Sequence, residues 1–220
     1  TYMYCDSAYL YSASNTMDAF GRVHIVFSGT THAYGDKMHY DGRTGLARLQ
    51  GNARMQDNQV LLKTSFLDFD MRNNSVMYST GGVITKNDNI LVSKHGRYNT
   101  KTKEMYFKEK VRMTAPDYTI DCDTLMYNTL TDIAFFPGPT HIKSDDSYTY
   151  CEEGWYNTKL DEALFTKNAL MRSKNQTLWG DSLLYNKPLG VGRAYKNITM
   201  VDSVQNIILK GNVGIFNEKT

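Results

Sequence analysis

Apolar and polar residues alternate along much of this chain with a step of two, and the alternation recurs as a unit every 29 residues. Tyr11, Tyr40, Phe69, Tyr98, Tyr127, Tyr156 and Tyr185 form an aromatic column at that spacing, mostly followed by Asp or Asn. Two positions before it stand Tyr9, Met38, Leu67, Leu125 and Leu183, interrupted by Gly96 and Gly154. Nine positions after it stand Phe20, Leu49, Tyr78, Phe107, Phe136, Phe165 and Ala194, and fifteen after it Met55, Ile84, Met113, Ile142, Met171 and Met200. Slimmer residues, Ala47, Val76, Met105, Ala134, Ala163 and Gly192, fill the position seven after it. These offsets share one parity, the strand period in which alternate side chains face the same way, and they do not fit the 3.6-residue helix period.

Two turn clusters per period imply two strands per period. Asp41-Gly42-Arg43-Thr44-Gly45, Asn99-Thr100-Lys101-Thr102 and Asn128-Thr129-Leu130-Thr131 mark one turn, and Asn87-Asp88-Asn89, Pro116-Asp117 and Asp145-Asp146 mark the other. The inward set slips between Leu62, Leu91, Ile120 and Leu178, seven before the aromatic residue, and the column two before it. A bulge or bend in each repeat accounts for the slip, with Asp36, Ser65, Asp123, Glu152 and Asp181 exposed there. Asn206 to Val213 repeats the pattern of Gly45 to Ala53 but arrives early, as a terminal cap or truncated repeat. The expectation is an all-β, elongated stack of antiparallel strand-turn-strand repeats. It forms a single repeat domain over residues 1–220, with about seven repeats plus a short C-terminal partial one. A 29-residue period also fits one coil of a parallel solenoid, an alternative that the pattern leaves open.

Composition narrows the function classes. A 220-residue chain with 41% hydrophobic and 12% aromatic residues can build a continuous apolar interior, and a net charge of +2 does not suit a nucleic-acid binder. The apolar runs are far shorter than the roughly 20 residues of a spanning helix, so no transmembrane segment is expected. Thr1 opens the chain without a charged or apolar leader, so any export signal is expected to be removed or to lie outside this sequence. The chain carries no nucleophile elbow, phosphate loop or dinucleotide fingerprint, and Gly42-Arg43-Thr44-Gly45 lacks the Walker lysine; no enzyme activity and no cofactor are expected.

His24, His32, His39, His95 and His141 are scattered without ligand spacing, and Asp121, Asp123, Asp145 and Asp146 lack a Gly-bounded loop, so no metal is expected. Cys122 and Cys151 occupy the same repeat position, two strand spacings or roughly 9.6 Å apart, beyond the roughly 7 Å Cα limit of a disulfide. With Cys5 they are expected to be free, packed thiols. Lys37, Arg43, Arg48, Arg54, Lys63 and Arg72 suit either the phosphates of a lipid headgroup or a solvated face, and Trp155 and Trp179 either rim a groove or pack.

An aromatic and aliphatic face open at its ends offers an apolar channel in which each buried methylene gains about 0.8 kcal/mol. The residues expected to line it are Tyr40, Leu49, Met55, Phe69, Tyr78, Tyr98, Phe107, Met113, Tyr127, Phe136, Ile142, Tyr156, Phe165, Met171 and Tyr185. The competing reading is that the same columns simply pack against each other.

Tyr34-Gly35-Asp36-Lys37-Met38-His39-Tyr40-Asp41 followed by Ala47-Arg48-Leu49-Gln50-Gly51-Asn52-Ala53 resembles the OstA/LptA-like repeat, which runs Gly-Asp-x-Leu-x-Tyr and then Leu-x-Gly-Asn-Val. Trp179 to Asn186 and Leu209 to Val213 look like further copies, whereas Thr64-Ser65, Ser93-Lys94 and Cys151-Glu152 replace the Gly-Asp pair. The tyrosine-rich chain is most similar to Bacteroidetes-type OstA-like proteins. The resemblance implies an antiparallel β-jellyroll in the Gram-negative periplasm, carrying acyl chains of lipopolysaccharide or a related lipid toward the outer membrane. The exposed backbone of the first and last strands is expected to serve head-to-tail self-association by strand addition, or docking to related jellyroll domains of a transport bridge. The alternatives are a non-transporting β-repeat scaffold and, on a parallel coil, a carbohydrate-active β-helix.

Overall fold

The computed structural model describes residues 2–27, 31–57 and 59–217. Among the described residues there are 22 strands and no helix. Strand pairing in the described register is antiparallel, which excludes the parallel coil and, with it, the carbohydrate-active β-helix. The chain packs as two compact units, residues 1–109 and 110–220.

The aromatic column becomes a rung across neighbouring strands in which large and small residues alternate. In residues 1–109 it reads Tyr40, Ala47, Phe69, Val76, Tyr98, Met105, and in residues 110–220 Tyr127, Ala134, Tyr156, Ala163, Tyr185, Gly192. Ring beside slim residue is how facing side chains interdigitate without voids. The two glycines that break the neighbouring column follow from the same economy of space. Gly96 lies between Tyr78 and Phe107, and Gly154 between Phe136 and Phe165. A Cβ on Gly96 would stand 2.2 Å from the Tyr78 ring, and one on Gly154 would stand 2.8 Å from the carbonyl oxygen of Leu164. In the same column Leu67 pairs with Leu49.

The bend expected in each repeat is built, in five of the corners, from two consecutive left-handed residues. Gly21-Arg22, Gly51-Asn52, Lys167-Asn168 and Lys196-Asn197 all have positive φ, a region that Gly and Asn tolerate best. The strand register breaks beside them, between Thr166 and Ala169 and between Tyr195 and Ile198. The opposing acidic residue holds the bend: Asn52 Nδ2 donates to Asp36 at 2.8 Å, Asn168 Nδ2 to Glu152 at 2.8 Å, Asn197 Nδ2 to Asp181 at 3.0 Å, and Arg22 pairs with Asp6. Lys94 and Glu109 make the same bridge with the charges exchanged, at 2.8 Å. The Gly-Asp and Gly-Asn elements of the repeat are therefore two sides of one corner. In the repeat that contains Pro137-Gly138-Pro139, the prolines instead divide Ile133–Phe136 from Thr140–Lys143.

At the other turn, the side-chain oxygens of Asp41, Asp70, Asn99, Asn128 and Asn157 accept the N–H two residues on, at 2.8–3.1 Å. This Asx turn is the reason an Asp or Asn follows the aromatic residue. The C-terminal segment departs from the sequence expectation. Ile207–Asn217 is a full first strand of a further repeat, and its Phe216 pairs with Gly192 in the aromatic rung. A turn over Ser203 to Asn206, capped by Asp202, displaces Phe216 to 31 residues after Tyr185 instead of 29.

Candidate functional site

Within residues 1–109 the interior is filled by its own side chains. Leu49 and Leu67 are fully buried, Phe69 is 2% exposed and stacks on Phe27 at 5.0 Å, and Tyr40, Met55 and Ile84 pack against the same core. The Tyr78 hydroxyl reaches Ser93 Oγ at 2.6 Å, so even the polar end of that ring is satisfied internally. Of the residues expected to line a groove, Leu49, Phe69, Tyr78 and Phe107 are buried here, and Tyr40, Met55 and Tyr98 are half-buried.

Residues 110–220 differ. Phe136 and Phe165 are buried, while Met113, Tyr127, Ile142, Tyr156, Met171 and Tyr185 are half-buried. The Tyr127 and Tyr156 hydroxyls donate to Asp132 and Asp161 at the turns, which leaves their rings over the interior. Burial, with Asp161 alongside, holds the Tyr156 phenol well above its usual pKa.

Beyond Phe165 this interior opens into a cavity of about 600 Å³, in the size range of small-molecule sites. Met171, Leu178, Leu183, Tyr185, Ile198, Met200, Leu209 and Phe216 line it. Of the expected groove residues, the cavity brings together Met171 and Tyr185.

The hollow has a sequence cause. Two positions that carry Leu, Tyr or Phe in most other repeats carry Ala194 and Gly214 on the last two strands, Gly192 is the smallest member of its already slim column, and missing bulk becomes space. The signal was in the columns, as small residues rather than large ones. Arg172, Arg193 and Lys210 border the cavity, but they alternate with the inward Met171, Ala194 and Leu209, which puts their side chains on the opposite face. Ser147 and Gln176 stand at its polar rim, with Gln176 Nε2 donating to Asp202 at 2.9 Å. The arrangement can take up hydrocarbon and offers no charged group to an ionic ligand.

The other candidates disperse. Arg48 pairs with Asp68 at 2.6 Å, Arg43 approaches Asp41 at 3.9 Å, Arg72 donates to the Arg43 carbonyl, and Arg54 lies 4.4 Å over the Tyr34 ring. Trp155 pairs with Phe135 and Leu164 on the outer face and does not rim the cavity. The three cysteines are free; burial pushes the Cys122 thiol up to about 12 and the Cys151 thiol up to about 11, so both stay neutral and unreactive near pH 7.

A family described as OstA-like protein matches residues 1–123. No curated protein matches the sequence. Among solved structures, the chain is similar to LptH from Pseudomonas aeruginosa, described as the LptA-homologous periplasmic component of the conserved lipopolysaccharide transport device. The likeness is 13% identity over 58% of this chain and 75% of that one, with a TM-score of 0.26.

Proposed function

This chain belongs to the OstA-like protein family, and from that premise we propose that it binds acyl chains of lipopolysaccharide or a related lipid and conveys them across the periplasm toward the outer membrane. The observation that carries the reading is the cavity of about 600 Å³ walled by Met171, Leu178, Tyr185, Met200 and Phe216. An acyl chain entering it exchanges water for apolar side chains at about 0.8 kcal/mol per methylene. A headgroup remains outside, because no inward register position offers it a charge. On this reading the protein is a carrier and no enzyme, and needs no cofactor.

Passage between carriers needs contact at the ends of the stack. Ile207–Asn217 is exposed along almost its whole length, and Tyr2, Tyr9 and Leu10 are exposed at the other terminus. Edge strands of this kind pair readily with further strands. Head-to-tail self-association, or docking to related jellyroll domains of a bridge, would prolong the apolar interior. A second reading, a non-transporting β-repeat scaffold, is favoured by the filled core of residues 1–109.

Titration of the full chain with a fluorescent fatty acid separates the two. The carrier is expected to bind the probe and to release it on addition of lipopolysaccharide but not of the deacylated saccharide. Absence of probe binding, or equal displacement by both competitors, would leave the scaffold.

A further inference from the structure

One inward row of residues 110–220 is apolar except at a single place. From strand to strand it runs Ile120, Ile142, Thr149, Met171, Leu178, Met200 and Leu209. Along the chain, the position seven before the aromatic residue carries Ala33, Leu62, Leu91, Ile120 and Leu178 in other repeats and Thr149 in this one. The strand does not require that hydroxyl, because valine has nearly the same shape and the same β-branch.

Thr149 is 8% exposed and lines the cavity. Thr140, buried as well, donates to the Gly138 carbonyl at 2.8 Å. The Thr149 hydroxyl has no hydrogen-bond partner among the described residues. No fully occluded side-chain oxygen among those residues lacks a partner, so this one keeps access to open space, and the space beside it is the cavity. Ser147, two residues nearer the turn on the same strand, and Gln176 stand at the polar rim. A polar line thus leads from the rim to Thr149, whereas Leu183, Ala194 and Ile198 make the wall elsewhere apolar. A buried hydroxyl without a partner is costly, and a few placed polar groups are what give an apolar pocket its selectivity.

We propose that Thr149 hydrogen-bonds a hydroxyl group carried on the acyl chain, so that the cavity selects hydroxylated chains over plain ones. The inference rests on the carrier reading of the cavity. A threonine hydroxyl and an alcohol on the ligand each donate and accept, so the pair bonds in either sense. Two strand residues separate Ser147 from Thr149, about 6.8 Å. Bonds of about 1.5 Å advance an extended hydrocarbon by roughly 1.25 Å each, which sets the matched hydroxyl about five carbons in from the rim. A plain chain places a methylene there instead and leaves the Thr149 hydroxyl stranded. Sites built to bond a hydroxyl reject the analogue that lacks it.

Displacement of a fluorescent fatty acid from the full chain tests this, with hexadecanoic acid and its singly hydroxylated isomers as competitors. In the wild type the affinity ratio of hydroxylated to plain acid is expected to peak for the isomer whose hydroxyl lies about five carbons in. Thr149→Val is expected to lower that ratio about fivefold, the worth of one neutral hydrogen bond, with unchanged circular dichroism. Thr149→Ser, which keeps the hydroxyl, is expected to keep the preference. Equal affinity of the wild type for the plain acid and every isomer, or a ratio that Thr149→Val leaves unchanged, would overturn the proposal while the carrier reading stands. Binding of no acid at all would remove both.

Discussion

Gly192→Phe is expected to weaken acyl-chain binding at least about tenfold while leaving the fold intact. Gly192 lines the cavity and faces Phe216 and Tyr185, and a Cβ built on it meets their rings at 3.5 and 3.8 Å, which is ordinary contact. Its φ is not in the left-handed region, and phenylalanine is a better strand former than glycine, so the backbone accepts the change. The added ring occupies the space that the small rung residues leave. Excluding two methylenes costs about 1.6 kcal/mol at 0.8 kcal/mol each, which already exceeds the 1.4 kcal/mol of a tenfold change. Probe titration beside circular dichroism measures both halves of the expectation, and unchanged affinity in a folded variant would place the lipid elsewhere.

Phe69→Ala is expected to destabilise the protein by about 3–5 kcal/mol, whereas Met171→Ala is expected to cost less than about 2 kcal/mol. Phe69 is 2% exposed, lies between Ala47 and Val76 in the rung and stacks on Phe27, so its removal leaves a void that the strands cannot close. Met171 already borders a hollow and loses few neighbours when truncated. Urea unfolding of the two variants measures the difference directly. Equal costs would mean that the interior around Met171 is as tightly packed as that around Phe69.

Much of the fold was legible because the strand period leaves a two-residue parity that helices cannot imitate. The rung of Tyr40, Ala47, Phe69 and Val76 is the aromatic column and its slim partner column laid side by side. The corner was legible as a slip in parity, although the role of Asp36 toward Asn52 needed coordinates, since the two are joined across strands and not along the chain. Phe216 went unread because a turn longer by two residues moved it out of phase.

The site was less legible, for a physical reason. A column of large apolar residues looks the same whether it faces a ligand or its own kind. Leu49, Phe69, Tyr78, Phe107, Phe136 and Phe165 are buried against protein, and what opens the cavity is the smallness of Ala194 and Gly214, which stand where most other repeats carry Leu, Tyr or Phe. Hollows are written in the residues that fail to fill them.

Site-specific photo-crosslinking in cells tests the central claim most directly, with the benzophenone amino acid placed at Tyr185 in one variant and at Phe69 in another. Capture of lipopolysaccharide at Tyr185 and none at Phe69 is the result expected of a carrier whose hollow lies in residues 110–220. Equal capture at both positions, or capture of protein alone at Tyr185, would contradict it.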